Sequence, residues 1–367
     1  MYIAAALLSL AFLIIVHEAG HFFVARWCRM RVERFSIGFG PGIIKRKSKS
    51  GTIFQIAPIP FGGFVEIRGM NIAEEVDPDD KFAYPNRPAW QRFVTIFAGP
   101  ATNYLSAMLL AVFLFNCHGM RSPWRWHEVA VVKEGFDAEG KLELKDRILA
   151  VDGVPILARG QWTSPQGRQH VEDSLTRRVN AKKGQPVTLT VLRKGKEVDV
   201  TIQPTLSFPL RSEAKLESWT TPTYLLGIQP MERADVLDVG VGASLKGALI
   251  YPVDQTKAIA GGLYDIIRGR EEADPGGPKR IFDEFKKAWE LGWVTGVELL
   301  MVLSVYLGLF NLFPLPALDG GRLVFLSYEL VTRRRANPKI EAVVHMGGIM
   351  VLFVVMILVT LNDCHLI

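Results

Sequence analysis

His17, Glu18 and His21 stand at the spacing His-Glu-x-x-His near the end of a long apolar run. On a helix the two histidines lie one turn apart on one face, so both imidazoles can reach a single Zn2+. Glu18 sits beside them and can take a proton from a water at the metal, whose pKa zinc lowers towards neutrality. The chemistry such a set performs is hydrolysis with water as the nucleophile. An ionisable residue inside a spanning segment is costly without a role. The bland alternative, a helix end whose His and Glu reach out to the interface, leaves that cost unexplained.

Two histidines leave a catalytic zinc short of a protein ligand, because such sites usually have three plus a water. The candidate lies in NLFPLPALDGG, residues 311–321. Pro314 and Pro316 force the backbone out of the helix, and Gly320 and Gly321 allow close approach behind Asp319. Broken backbone at membrane depth is tolerated only where it lines a cavity or is buried in protein. Taken alone, Asp319-Gly320 reads as the start of a turn. Beside an incomplete zinc pair, Asp319 reads as the third ligand.

These groups require membrane helices to position them. The chain of 367 residues is 49% hydrophobic, and the apolar residues are clustered. Four segments are long enough to span a bilayer of about 30 Å: Tyr2 to about Trp27, Phe93 to Cys117, about Trp293 to Phe313, and about Ala342 to Leu361. No Lys or Arg precedes the first, and no small-residue cleavage site follows it, so it reads as a retained span rather than a signal peptide. Lys and Arg dominate the stretch between spans one and two and the stretch from Arg322 to Ile340. By the positive-inside rule these loops face the cytoplasm, both termini face outside, and the long region between spans two and three is extracytoplasmic. Spans one and three then run in the same direction, and His21 and Asp319 come to similar depth on the cytoplasmic side.

The net charge of +6 is scattered, with no basic stripe interleaved with aromatics, which argues against nucleic acid as a partner. Cys28, Cys117 and Cys364 are too far apart to suggest a disulfide framework or a cysteine zinc site. In the first loop, Thr52 to Pro58 and Phe64 to Ile67 alternate around Pro60-Phe61-Gly62-Gly63, which predicts a β-hairpin. In the central region the same logic predicts strands at Val129 to Val132 and Arg147 to Val151, a turn at Asp152-Gly153, a helix through Val171, Leu175 and Val179, and a hairpin around Lys194-Gly195. Leu245 to Ile266 favours an amphipathic helix kinked at Pro252; it fits the membrane surface and the core of a soluble domain equally well. Glu298 and His345 read as residues near the membrane interface.

The motifs HEAGH (17–21), SIGFGPGI (36–43), FGGFVEI (61–67), AGPATN (98–103) and LFNLFPLPALDGG (309–321) run in order over the whole membrane part. In them the chain resembles the bacterial, PDZ-containing site-2 proteases, and LELKDRILAVDGVPI (142–156) resembles a PDZ domain in which Lys145 stands where glycine is usual. The resemblance implies a polytopic α-helical membrane protein of four spans with a membrane-associated β-hairpin and an inserted extracytoplasmic PDZ-like α/β domain. The divisions are 1–117 and 292–367 for the two parts of the membrane core, 126–205 for the PDZ-like domain and 206–291 for a connector. One Zn2+ would be held by His17, His21 and Asp319, with Glu18 as general base. Asn311 would position substrate or stabilise the oxyanion. Phe61, Gly62, Gly63, Phe64 and Val65 would receive the substrate as an added strand, with Asn103 at the substrate as a polar residue of span two. Tyr306 stands where some members carry Asn.

The same resemblance implies a zinc endopeptidase of the inner (plasma) membrane. Its substrates would be single-span proteins such as anti-sigma factors or remnant signal peptides, cut within or at the edge of the bilayer after an upstream site-1-type protease has acted. A non-catalytic scaffold binding partners through its PDZ domain is the rival, and it would be expected to have lost Glu18 or a ligand; none is lost. A metal transporter would want several intramembrane carboxylates or histidines on facing spans, and only the one constellation is present.

Overall fold

The computed structural model describes residues 1–71, 74–156, 158–159, 175–207, 223–269 and 276–363. In chain order these form α1 (Tyr2–Trp27), β1 (Val32–Phe39), β2 (Ile44–Lys47), β3 (Ile53–Ile56), β4 (Ile59–Ile67), α2 (Ala89–Cys117), β5 (Met120–Val132), β6 (Arg147–Val151), β7 (Val154–Pro155), β8 (Ala158–Arg159), α3 (Leu175–Ala181), β9 (Val187–Arg193), β10 (Lys196–Ile202), β11 (Thr205–Ser207), β12 (Thr223–Leu225), β13 (Ile228–Leu237), α4 (Val241–Ile267), α5 (Pro278–Leu291), α6 (Trp293–Leu312), α7 (Asp319–Thr332) and α8 (Pro338–Asp363). The chain divides into two compact units, one of Met1–Cys117 with Gly240–Ile367 and one of His118–Val239.

In the first unit, α1, α2, α6 and most of α8 are long and apolar enough to cross a membrane. Helix α2 is central and packs against α1, α4, α6 and α7. Its contact with α1 is close because Gly20 lies on the backbone of α2, where a β-carbon would come 2.3 Å from the Ala98 carbonyl oxygen. The Thr102 hydroxyl donates to the Val16 carbonyl at 2.9 Å across the same crossing. Helix α5 buries Phe285 among Ala6, Leu13 and Leu300 and donates from Trp289 Nε1 to Ser9 Oγ at 3.0 Å. Its N-terminus is tied to the end of α8, where Asp363 accepts from the Gly277 N–H at 2.8 Å.

Helix α4 continues through Pro252 and packs against α2 and α6, with Tyr104 Oη bonded to Thr256 Oγ1 at 2.9 Å. The stretch that suited either the membrane surface or a soluble core therefore belongs to the helical unit, more polar than the four candidate spans and anchored on two of them.

The hairpin expected in the first loop is instead part of a four-stranded sheet of order β2-β3-β1-β4. Strands β3 and β4 do not pair with one another. They flank β1, β3 in parallel with Arg34 opposite Ile53, and β4 antiparallel with Ile37 opposite Gly63. The two residues between them, Ala57 and Pro58, carry the chain over the end of β1. Gly38 permits this: with φ at +87°, its missing side chain leaves room 2.7 Å from the Ile59 carbonyl oxygen. Strand β4 is left at the edge of the sheet.

The second unit is an antiparallel sheet of order β10-β9-β6-β5-β13, with β7 on β6 and β8 on β5. Its core gathers Val129, Ile148, Val151, Val187, Leu189 and Val191 from the strands, with Leu175 and Val179 from α3. Val171 of the expected helix lies outside the described residues. Asp152-Gly153 and Lys194-Gly195 make tight turns with positive φ at both positions (49° and 74°, 50° and 81°), the geometry that matches strand twist in a two-residue hairpin. The outer strand β13 comes from the stretch assigned to the connector and pairs with β5 from Met120 to Val132. Buried Asp146, 2% exposed, is held by Arg193 at 2.6 Å.

Candidate metal centre

Span one delivers His17 and His21 on one face of α1, both buried. Asp319 arrives from the other end of the chain. The backbone leaves α6 at Phe313, which precedes Pro314 and is extended (φ −63°, ψ 143°), as a residue before proline prefers to be. The chain re-enters a helix at Asp319, the first residue of α7. Both following glycines are needed for that turn. A β-carbon at Gly320 would stand 2.0 Å from the Phe313 carbonyl oxygen, and one at Gly321 would stand 2.6 Å from that of Leu315.

The three side chains converge. Asp319 Oδ2 is 3.1 Å from His17 Nε2 and 3.2 Å from His21 Nε2, and the two Nε2 atoms are 3.3 Å apart. This near-equilateral triangle suits zinc, since ligand atoms 2.0–2.1 Å from a tetrahedral ion stand about 3.3 Å from one another. The chemistry of the donors points the same way. His21 Nδ1 lies 2.9 Å from the Thr95 carbonyl oxygen, which can only accept. Nδ1 therefore carries a proton, which leaves Nε2 as the nitrogen of this ring that a metal could take. Among the described residues, these three form the one His, Cys, Asp or Glu cluster with ligand atoms close enough to share an ion.

Span two forms the floor of this site. Gly99 presents a bare backbone to both rings, and a β-carbon there would come 2.3 Å from His21 Nε2. Asn103, fully buried one turn further along, places its amide nitrogen 3.0 Å from His17 Nδ1. The profile of peptidase family M50 matches residues 5–355. The chain belongs to peptidase family M50. A protein of Fusobacterium nucleatum named a zinc metalloprotease is 31% identical over 365 residues, covering 98% of this chain and 97% of its own. One of Agrobacterium fabrum with the same kind of name is 30% identical, covering 99% and 95%. Another, of Mesorhizobium japonicum, is 30% identical, covering 97% and 96%. This M50 peptidase is thus a zinc metalloprotease of the membrane, of the site-2 type.

Around the triangle of the M50 site, Glu18 lies against β4. A β-carbon at Gly63 would approach Glu18 Cγ to 3.5 Å. Gly62 is in the left-handed region (φ +134°) with no room for a side chain beside the Phe39 ring, which in turn stacks on Phe64. Phe61 is in the same strand, its side chain outside the described residues. Asn311 turns its amide nitrogen to the Leu307 carbonyl at 2.9 Å, one turn back on α6. Tyr306 stacks on Phe310.

Two features were missed in the sequence. In the sequence Gly99 is only one residue of the AGPATN motif, because its contact with the histidines exists only after α1 and α2 pack. The sequence predicts an interfacial His345, yet the residue is buried beside the ligand-bearing loop. Its Nδ1 is 3.2 Å from the Ala317 N–H, and its Nε2 is 2.9 Å from Arg322 Nε. Ala317, two residues before Asp319, has a φ of +79° that only an enforced turn gives a non-glycine residue. The available signal was a lone histidine on an otherwise apolar span.

Proposed function

We propose that this M50 peptidase cuts single-span membrane proteins within or at the edge of the bilayer, using one zinc ion held by His17, His21 and Asp319. The observation that carries the proposal is the triangle of ligand atoms with Glu18 beside it and an edge strand next to Glu18. When bound there, zinc supplies Lewis acidity that polarises the scissile carbonyl and acidifies water. Glu18 takes the proton from the attacking water and passes it to the departing amine. A substrate strand added to the free edge of β4 has its backbone hydrogen bonds satisfied and its peptide group brought to Glu18. Helix-breaking residues in the substrate help, because a helix hides its peptide bonds. Asn311, in the last turn of α6 just before the helix breaks, positions the substrate or supports the oxyanion.

The natural substrates in this reading are anti-sigma-factor-like proteins or remnant signal peptides, already shortened by an upstream protease. The site faces the cytoplasmic side of the plasma membrane. Both termini and the PDZ-like unit lie on the opposite side, where that unit filters substrates. The test compares membrane proteomes of cells carrying the active protein and the Glu18→Gln variant. Glutamine keeps the shape but cannot accept the proton, a loss of about 10²- to 10⁴-fold in rate. Shortened single-span fragments should accumulate in the variant; a proteome unchanged by the substitution would sink the proposal.

A further inference from the structure

Asn103 leaves a polar atom unaccounted for at the proposed metal site. The residue is 0% exposed, and among the described residues its Oδ1 is buried without a hydrogen-bond partner. Its amide nitrogen meanwhile faces His17 Nδ1 at 3.0 Å. Buried polar groups are nearly always paired, so such an orphan asks for an explanation. The position is fixed firmly: the Asn103 backbone carbonyl accepts from Ser106 Oγ at 2.9 Å and from Ser304 Oγ at 3.0 Å, locking α2 to α6 at this level.

The amide written with nitrogen towards His17 has a chemical consequence. An N–H donated to Nδ1 needs a lone pair there, so the ring proton sits on Nε2, the atom that faces Asp319 and His21. That tautomer cannot offer Nε2 to a metal. Turning the amide by 180° interchanges two nearly isosteric ends. Oδ1 then meets Nδ1–H, the Nε2 lone pair points into the triangle, and the orphaned acceptor is removed. Among the described residues no donor reaches Oδ1 in its first position, so the turn breaks no hydrogen bond there.

We infer that Asn103 presents Oδ1 to the Nδ1–H of His17 and so sets the tautomer and ring orientation of that ligand. It is a positioning residue rather than a contact for substrate. His21 has the equivalent partner in the Thr95 carbonyl. The two histidines therefore lean on two oxygen acceptors of the same helix, α2, one from the backbone and one from a side chain. Hydrogen-bonded outer partners of this kind fix which nitrogen of a histidine binds metal, and their loss typically weakens metal affinity about 10- to 100-fold. The inference rests on the reading of His17 as a ligand.

The experiment is a zinc competition titration of the purified full-length protein, its Asn103→Leu and Asn103→Asp variants, and His17→Ala. Leucine matches asparagine in size but accepts nothing, and its zinc dissociation constant should rise about 10- to 100-fold. Aspartate keeps an oxygen for Nδ1–H and should restore affinity, a rescue that a purely packing role for Asn103 does not give. Wild-type affinity in Asn103→Leu, with only KM raised, would overturn the inference and return Asn103 to the substrate. If His17→Ala also keeps wild-type affinity, the metal-site reading fails first, so the two failures are distinguishable. Should the leucine variant not fold, 15N-histidine spectra of the zinc-loaded wild type decide alone. They should show His17 protonated at Nδ1; a proton on Nε2 with Nδ1 bound to metal would overturn the inference.

Discussion

Gly99 lies directly against His21: a β-carbon on this glycine would stand 2.3 Å from His21 Nε2 and 3.0 Å from His17 Cε1. The contact links span two to both histidines. Gly99→Ala must therefore push the rings or separate α1 from α2, and zinc binding should fall by about tenfold or more, as for other disturbances next to a ligand. Gly262→Ala, on α4 where a β-carbon meets nothing within 4 Å, is the matched control and should bind zinc normally. Metal analysis of the two purified variants checks this, and equal zinc content would contradict it.

Gly63 tests the seat of β4. A side chain there meets Ile14 Cγ2 at 2.8 Å and the Ser36 carbonyl oxygen at 2.8 Å. Ile14 can rotate, but a backbone oxygen in the neighbouring strand cannot, so β4 has to shift away from Glu18. A displacement on the scale of an ångström costs up to about a hundredfold in rate. Gly63→Ala should lower cleavage of a single-span substrate in detergent while zinc content stays normal. Unchanged cleavage would separate β4 from catalysis.

The second unit offers a test of strain. Lys145 has a φ of +71° before the buried Asp146, a conformation that glycine adopts freely and lysine does not. Lys145→Gly should stabilise the unit by about 1 kcal/mol, raising its melting transition by about 4–8 °C. Lys145→Ala, which keeps the β-carbon, should give no gain. Thermal unfolding of the full-length variants reads both, and a lower transition for the glycine variant would show that Lys145 serves a contact the backbone strain does not reveal.

The membrane helices were legible because they are matters of composition: twenty or so apolar residues specify a span wherever they occur. The convergence of His17, His21 and Asp319 was legible for a chemical reason, since an incomplete zinc pair demands a partner and Asp319 sits where the helix is forced to break. The first sheet was not legible. Strands β3 and β4 look like neighbours in the sequence, but both pair with β1, and nothing in Thr52 to Ile67 says that a third strand comes between them. Helix α4 was ambiguous for a related reason. Its periodicity fixes a buried face without naming what buries it, and the partners turned out to be α2 and α6. The roles of Gly99 and His345 exist only in contacts between elements far apart in sequence.

The most direct test of this account is the zinc content of purified Asp319→Ala measured beside Asn311→Ala. Asp319 Oδ2 closes a triangle with two histidine nitrogens about three hundred residues away, whereas the Asn311 amide nitrogen bonds back into its own helix. Asp319→Ala should lose zinc together with activity, and Asn311→Ala should lose activity with its zinc largely retained. Full zinc in Asp319→Ala with zinc lost from Asn311→Ala would contradict the account and leave Asp319 as no more than the residue that begins a turn.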